Sequence, residues 1–157
     1  MHPRAVEFRE QVFEQYGLEI AVEEFPEGTK TAADAAEAVR CDVAQIASSL
    51  VFLADTDPVV VVTSGANRVN EEKIASALGA ESIAMADAET IKSRLGWSIG
   101  GVPPICHNSD VPVLFDTTLS EFETVWGAAG TPQAVFPIEP ERLKTLAGAT
   151  ERTLAVE

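Results

Sequence analysis

The sequence is poor in positive charge, and it has few cysteines and histidines. Of its 157 residues, 11 are Lys or Arg and 25 are Asp or Glu, giving a formal net charge of −14. A protein that binds nucleic acid mainly through phosphates usually carries a basic patch, so this composition argues against a broad surface of that kind. The acidity can serve solubility, concentrated salt or a basic partner. We favour the salt-adapted, halophilic surface, because the acidic residues are spread along the whole chain.

The scarcity of cysteine excludes several small-domain architectures. Cys41 and Cys106 are far apart, and neither belongs to a CxxC motif or a Cys/His cluster. A zinc ribbon or a disulfide scaffold is therefore excluded, and we expect no metal and no cofactor. The sequence also lacks any run near the roughly 18 apolar residues of a membrane span, and residues 1–4 do not resemble a signal peptide. These absences predict a cytoplasmic protein without membrane contact.

The common catalytic and nucleotide-binding motifs are missing as well. The sequence contains no GxxxxGK[ST], GxGxxG, GxSxG or HExxH pattern. Cys106 and His107 are adjacent, and neighbouring side chains of a strand point to opposite faces. They would make a poor pair of nucleophile and base. Trp97 and Trp126 could line an apolar pocket, although core packing is the commoner role.

Hydrophobic spacing and turn residues predict an alternation of short helices and strands. Predicted helices cover Val6–Tyr16, a segment capped by Thr31 and Asp34, a segment starting at Asp42, and segments starting near Asn70, Asp87 and Pro140. Predicted strands cover residues 18–25, 50–53, 58–63, 83–85, 111–116, 124–128 and 134–138, with a turn at 26–28. We interpret residues 1–157 as a single mixed α/β (α+β) domain. Its curved sheet would be mixed or antiparallel and surrounded by short helices.

Two segments stand out as candidate binding loops. Gly100, Gly101, Pro103 and Pro104 make a loop that is stiff and exposes backbone N–H groups, which suits a small polar group. Residues 64–68 follow the most apolar strand and should lie at a sheet edge, where α/β folds often bind ligands. Both segments also have a simpler interpretation, as a connecting loop and as a surface turn whose Arg68 forms an ion pair.

In order along the chain, several segments resemble one known family. They are TAADAA (31–36), QIASSLVF (45–52), SGANRV (64–69), ADAE (86–89), IGGVPP (99–104), FD (115–116) and VWGAAGTP (125–132). This pattern, from about residue 21 to 146, resembles the YbaK/prolyl-tRNA synthetase-associated family of free-standing trans-editing aminoacyl-tRNA deacylases. The resemblance implies hydrolysis of the ester that joins a wrong amino acid to the 3′ end of a tRNA, with tRNA for proline as one candidate.

The resemblance also implies a set of site residues and partners. Residues 100–104 correspond to the GxxxP motif of the family, whose backbone holds the aminoacyl group. The expected catalytic residues are Ser48, Gly100 and Gly101, and the expected substrate-binding residues are Thr31, Ser49, Asn67, Arg68, Val102, Pro104, His107 and Gly130. The expected partners are the acceptor end of a tRNA carrying an amino acid and an aminoacyl-tRNA synthetase.

The sequence departs from the family at Ser48, where relatives normally carry a lysine that engages the terminal adenosine and its phosphate. A neutral serine cannot replace a charge-assisted contact of about 1.5–3 kcal/mol. Three accounts remain open: an active deacylase in which Arg68, Lys73 or another cation binds the phosphate, an impaired relative, or a change introduced into the natural sequence. The alternative function is therefore a module that binds an aminoacyl or nucleotide ligand, or a synthetase, without turnover.

Overall fold

The computed structural model describes residues 1–25 and 31–156, and these residues form a mixed α/β fold. Its α-helices are α1 (Pro3–Tyr16), α2 (Ala32–Val39), α3 (Glu71–Leu78), α4 (Ala88–Leu95) and α5 (Pro140–Ala147). Its strands are β1 (Glu23–Glu24), β2 (Ile46–Ala54), β3 (Asp57–Ser64), β4 (Ile83–Met85), β5 (Val113–Asp116), β6 (Val125–Ala128), β7 (Ala134–Ile138) and β8 (Thr150–Arg152). Short 3-10 helices span Val43–Gln45 and Thr117–Glu121. None of the described helices is long and apolar enough to cross a membrane.

The strands form one mixed sheet built on a central hairpin. The strand order is β1-β7-β6-β2-β3-β5-β8, and β4 pairs with β2 outside this path. Strands β2 and β3 pair antiparallel from Ala47 opposite Ser64 to Ala54 opposite Asp57. The pairings of β2 with β6, β3 with β5, and β5 with β8 are parallel. The prediction of a mixed sheet is confirmed.

Strand β3 separates two apolar clusters. Val60 and Val62 belong to a larger cluster that includes Phe8, Trp97 and Phe136. The alternate residues of β3, Val59 and Val61, pack on the other face with Phe52, Ile74 and Leu114. All four valines are at most 1% exposed. The run of valines is therefore apolar because both of its faces are covered, as the sequence predicts for a central strand.

The second edge of β2 is paired only near its ends. Strand β6 pairs with Ile46 and Ala47, and β4 pairs with residues 52–54. Residues 48–51 between these pairings have no strand partner on this edge among the described residues. The Val51 carbonyl oxygen accepts a hydrogen bond from the Ala86 N–H at 3.0 Å. The sheet is therefore open along residues 48–50 of its central hairpin, and this opening positions the site described below.

Several predicted local features are confirmed. The Oγ1 atom of Thr31 accepts a hydrogen bond from the backbone N–H of Asp34, and the Asp34 carboxylate accepts one from the N–H of Thr31. These reciprocal bonds form the capping box expected at the start of α2. Helices α1, α3 and α4 end at glycines in the left-handed conformation, as the positions of Gly17, Gly79 and Gly96 predict.

Other local predictions are wrong. The segment after Asp42 makes only the 3-10 turn Val43–Gln45, because Ile46 and Ala47 pair with neighbouring strands instead of continuing a helix. The strand predicted over residues 18–25 shrinks to Glu23–Glu24, the only part that pairs with β7. Cys106 and His107 lie in a loop and not in a strand, and Cys106 has a φ of +66°. The predicted turn at 26–28 lies outside the described residues.

A buried carboxylate joins the ends of β3 and β5. Asp116 is fully buried, and its Oδ2 atom accepts hydrogen bonds from the Thr63 hydroxyl at 3.2 Å and the Asn67 amide at 2.9 Å. The N–H of Ser64 approaches the same oxygen at 3.5 Å, and the N–H of Thr118 donates to Oδ1 at 3.1 Å. A buried charge is tolerated only when hydrogen bonds satisfy it. Because the donors from Thr63, Ser64 and Asn67 meet this need, the carboxylate fixes the turn after β3.

We predict that Asp116→Asn lowers the free energy of unfolding by about 2–3 kcal/mol, since the amide nitrogen would face donors where an oxygen now accepts. Urea unfolding followed by circular dichroism measures the change. Asp57→Asn, at an exposed position of the same sheet, is the matched control and should change stability by less than about 0.5 kcal/mol. Equal losses for both variants would contradict the role given to Asp116.

Candidate functional site

A cavity of about 360 Å³ lies beside the open edge of β2. Its size falls within the usual range of small-ligand pockets. Its walls come from strands β2, β4, β6 and β7, the start of α2, helix α4 with the loop after it, and the turn between β6 and β7. The lining residues are Thr31, Ala32, Ala35, Ile46, Ala47, Ser48, Ser49, Leu50, Val51, Met85, Ile91, Ile99, Gly100, Val102, Trp126, Ala128, Pro132, Ala134 and Val135. Residues 48–51 of β2 are all among them.

The described lining contains hydroxyl groups but no charged side chain. Thr31, Ser48 and Ser49 supply these hydroxyls, and the rest of the lining is apolar or backbone. The Oγ atom of Ser49 is enclosed and has no hydrogen-bond partner in the described part of the chain. Because buried hydroxyls are almost always hydrogen-bonded, this atom marks a place where a polar ligand group or a water can bind.

Ser48 and Ser49 reach the cavity from opposite faces of β2. Ser49 lies on the same face as Ala47 and Val51, which belong to the larger apolar cluster. Ser48 alternates with them and lies opposite Thr63 of β3. Since the cavity runs along the strand edge, consecutive residues can both border it. The sequence motif QIASSL thus supplies two adjacent hydroxyls at one opening.

The loop after α4 forms the opposite wall through two glycines. Gly100 has a φ of +86°, which favours glycine, and a Cβ at this position would lie 3.4 Å from Pro132. A Cβ at Gly101 would lie 2.7 Å from the Cα of Thr131, so only glycine allows the two loops to approach this closely. The N–H of Gly101 donates to the Ser98 carbonyl at 3.0 Å. Gly100 and Val102 line the cavity, whereas Gly101 seats the loop against its neighbour.

The segment 64–68 has a packing role beside the cavity. A Cβ at Gly65 would lie 2.7 Å from the Val43 carbonyl oxygen and 2.8 Å from the Cβ of Ala32. Because Gly65 has no side chain, the start of α2 can pack against this turn, and Thr31 at the start of α2 lines the cavity. The Asn67 amide is bonded to Asp116 and Thr118, and Arg68 is exposed outside the cavity lining. The structure does not bring Asn67 or Arg68 to the cavity.

Three further predicted site residues also lie outside the lining. Pro104 packs against Gly127, where a Cβ would be 3.1 Å from its ring. His107 occupies a separate pocket, and its Nε2 atom is 2.8 Å from the Pro103 carbonyl oxygen. Gly130 faces α1, because a Cβ there would be 2.8 Å from the Arg4 carbonyl oxygen. Thr31, Ser48, Ser49, Gly100 and Val102 are the predicted residues that the structure brings together.

Sequence reasoning missed most of the apolar lining. Met85, Ile91 and Pro132 come from three separate elements, and no local pattern distinguishes them from core residues. Trp126 does line the cavity, as one of its two interpretations predicted, whereas Trp97 is 2% exposed within the core. Only the parallel pairing of β6 with β2 places Trp126 beside the two serines.

The Cys106 thiol and the His107 imidazole of the neighbouring loop have pKa values that keep them uncharged at neutral pH. Burial raises the pKa of Cys106 to about 12, so its thiol stays protonated at neutral pH. Burial also lowers the pKa of His107, while the hydrogen bond to the Pro103 carbonyl opposes this shift. The neutral ring with a proton on Nε2 donates that bond. Within residues 1–25 and 31–156, no three His, Cys, Asp or Glu side chains group as metal ligands do.

Comparison with known proteins gives consistent matches. The model of the aminoacyl-tRNA editing domain family matches residues 26–146. Proline–tRNA ligase of Limosilactobacillus fermentum is 39% identical over 97 residues, which are 59% of this chain but only 17% of the ligase. Protein YwhH of Bacillus subtilis, which is uncharacterized, is 30% identical over 132 residues, 83% of either chain. A solved structure described as a candidate trans-editing enzyme for prolyl tRNA synthetase has a TM-score of 0.93 and 35% identity, covering 100% of this chain and 99% of that one.

We predict a pH dependence of stability that comes from His107. Its folded-state pKa lies below the ordinary value of 6.5, so the unfolded chain binds the proton first as the pH falls. The contribution of His107 to stability is full above about pH 6.5 and is lost as the pH falls toward the folded-state pKa. Urea unfolding of the wild type and His107→Gln between pH 7.5 and 5 should give converging free energies. His2→Gln, at the exposed N-terminus, is the control, and parallel curves for wild type and His107→Gln would contradict the prediction.

Proposed function

The chain belongs to the aminoacyl-tRNA editing domain family, whose activity is hydrolysis of the ester of a mischarged tRNA, and we propose that this member performs that hydrolysis in the cavity beside β2. The observation that carries the proposal is the cavity itself: an uncharged space of about 360 Å³, open to solvent on one side and walled in part by a close-packed glycine loop. Because the similarity to the trans-editing structure extends over both whole chains, we also propose action in trans on tRNA. Association with a synthetase is part of the same proposal, as is a cytoplasmic location, where charged tRNA is used.

The acceptor end would bind at the serines and the aminoacyl group at the glycine loop. We propose that the Ser48 and Ser49 hydroxyls hydrogen-bond the ribose of the terminal adenosine, and each neutral bond would contribute about 0.5–1.5 kcal/mol. The unpartnered Oγ of Ser49 supports this assignment, since a ribose hydroxyl would satisfy it. We propose that backbone N–H groups at Gly100 and Val102 hold the ester carbonyl.

The proposed reaction is attack of water on the ester carbonyl carbon. The C–O bond to the ribose breaks, water supplies a hydroxyl to the amino acid, and its proton goes to the departing ribose oxygen. The described lining contains no carboxylate or imidazole that could act as a general base. The neighbouring ribose hydroxyl of the substrate would therefore assist the water. The part of the protein is to position the ester and to stabilise the developing oxyanion through fixed N–H groups.

The walls of the cavity favour a small, uncharged amino acid side chain. Met85, Ile91 and Val102 offer apolar contact, whereas a charged side chain would lose its water without gaining a partner. A single methylene changes binding in such a pocket by only about 1–3 kcal/mol. Exclusion of larger side chains by the close-packed loop is therefore the proposed basis of selection.

The net charge of −14 shapes how the tRNA would be recognised. The uncharged lining limits the contact to the acceptor end and the amino acid, and repulsion between the acidic surface and the remaining phosphates must be screened. In about 1 M salt the screening length falls to roughly 3 Å. We propose a salt-adapted protein whose activity rises with ionic strength. The alternative, a binding module without turnover, has no described feature in its favour.

A panel of misacylated tRNAs tests the activity. We expect the wild type to hydrolyse at least one of them, faster in multimolar salt than in dilute buffer. Ser48→Lys should raise kcat/KM about tenfold at low salt, because an ammonium adds a charge-assisted phosphate contact. Ser48→Ala should lower kcat/KM by less than tenfold. Activity only in Ser48→Lys would identify an impaired binder, and no hydrolysis by either protein in any salt would refute the proposed function.

A matched pair of glycine substitutions tests the loop. Gly100 and Gly79 both have positive φ, and a Cβ at Gly79 would meet nothing within 4 Å. Both alanine variants should therefore carry a similar backbone strain of about 1–2 kcal/mol. Only Gly100→Ala should lower kcat/KM, by about a hundredfold, because it shifts the wall that holds the ester. Steady-state kinetics and thermal unfolding of the two variants separate the effects, and equal kcat/KM in both would argue against this wall.

A further inference from the structure

We propose that Arg4 of helix α1 is a positioning residue for the glycine loop of the cavity, acting through Gly96 and Trp97. The inference rests on the proposed function, because it concerns how the same cavity is held in shape. Helix α1 spans Pro3–Tyr16 and lies outside residues 26–146, the part that matches the family model. Arg4 therefore supports the cavity from outside the part of the chain that carries the family motifs.

The guanidinium of Arg4 is fixed from several sides. Its Cζ atom lies 4.2 Å from the centroid of the Trp97 ring, a cation–π contact. Its Nη2 atom donates a hydrogen bond to the Gly96 carbonyl oxygen, and Nη1 pairs with the Glu7 carboxylate of the same helix. A planar guanidinium can stack on a ring and donate in its own plane at once, which an ammonium cannot do. Arginine is thus the residue that suits both contacts.

Both ends of the loop depend on these contacts. Gly96 ends α4 in the left-handed conformation and begins the loop. The indole N–H of Trp97 donates to the carbonyl oxygen of Cys106 at 2.8 Å, which ties the start of the loop to its end. Phe8, also of α1, packs edge-on against Trp97 with ring centroids 5.9 Å apart. Arg4 and Phe8 therefore hold the indole that closes the loop over residues 97–106.

The same helix supports the opposing turn. A Cβ at Gly130 would lie 2.8 Å from the Arg4 carbonyl oxygen and 2.8 Å from the Trp97 ring. The next residues of this turn, Thr131 and Pro132, lie against Gly101 and Gly100. Helix α1 thus contacts both segments whose close approach forms the wall of the cavity. Removing the Arg4 contacts should therefore make this wall more mobile. We expect a mobile wall to impair the positioning of the bound ester more than it lowers the stability of the protein.

The test compares Arg4→Met, Arg4→Lys and a control, Arg9→Met. Methionine keeps an apolar stem beside Trp97 but removes the charge and the donors. Lysine restores the charge and N–H donors, but not the planar group that stacks on the ring while it donates in its own plane. Arg9 is an exposed arginine of the same helix that lines a separate groove with Phe13 and Glu19, away from the cavity. Two quantities are measured on the full chain: kcat and KM on the tRNA that the wild type hydrolyses best, and hydrogen exchange of the amides of residues 98–102.

We expect Arg4→Met to lower kcat about tenfold with a smaller change in KM, since misplacing a bound ester slows the reacting step. Exchange in residues 98–102 should be about tenfold faster, including at the Gly101 amide that is bonded to Ser98. Arg4→Lys should lie between wild type and Arg4→Met, and Arg9→Met should match wild type in both measurements.

Two outcomes would overturn the inference. One is wild-type kcat and wild-type exchange in Arg4→Met. The other is a variant with a lower melting temperature but unchanged kcat and unchanged loop exchange, which would leave Arg4 only a stabilising role. Should Arg4→Met fail to fold, wild-type kcat and exchange in Arg4→Lys would refute it. A wild type that hydrolyses no substrate would refute the proposed function instead, and the exchange measurement would still decide whether Arg4 holds the loop.

Discussion

Strand β2 pairs with β3 from Ala47 to Ala54, but on its other edge it pairs only near its two ends, with β6 and with β4. Residues 48–50, which have no strand partner on this edge in the described part of the chain, border a cavity instead. An open edge inside a sheet is a liability unless something covers it. Here α2, the glycine loop and the turn between β6 and β7 surround the opening without closing it. The site is therefore a consequence of how the sheet is paired.

Close backbone approaches keep the walls of this opening in place. Gly65 lets α2 lie against the turn after β3, and Gly101 lets the loop lie against Thr131. These contacts leave no room for a side chain at either glycine, so the segments that carry the walls are close-packed and hard to deform. Helix α1 completes the support through the Arg4 and Phe8 contacts with Trp97. A cavity built in this way suits selection among small side chains by size.

Charge and site chemistry fit each other once the cavity is known. A chain with net charge −14 is poorly suited to grip the length of a tRNA, and its described cavity lining is uncharged. Ser48 belongs to that pattern, because it offers a hydroxyl where relatives in the family resemblance carry a lysine. The proposed contact is accordingly small: the terminal ribose, the ester and the amino acid. Its strength would come from positioning and exclusion of water more than from phosphate binding.

The sequence by itself determined several local features and the family. The capping box at Thr31, the glycines that end α1, α3 and α4, and the buried valines of β3 follow from short-range chemistry, and ordered motifs from TAADAA to VWGAAGTP pointed to the editing domains. Tertiary structure alone decided which motif residues meet: Thr31, Ser48, Ser49, Gly100 and Val102 share the cavity, while Asn67, His107 and Gly130 serve packing or loop contacts. It also turned Ile46 and Ala47 from a predicted helix into strand. The reason is physical: strand pairing and close approach join residues far apart in sequence, and no local pattern records which partners they will find.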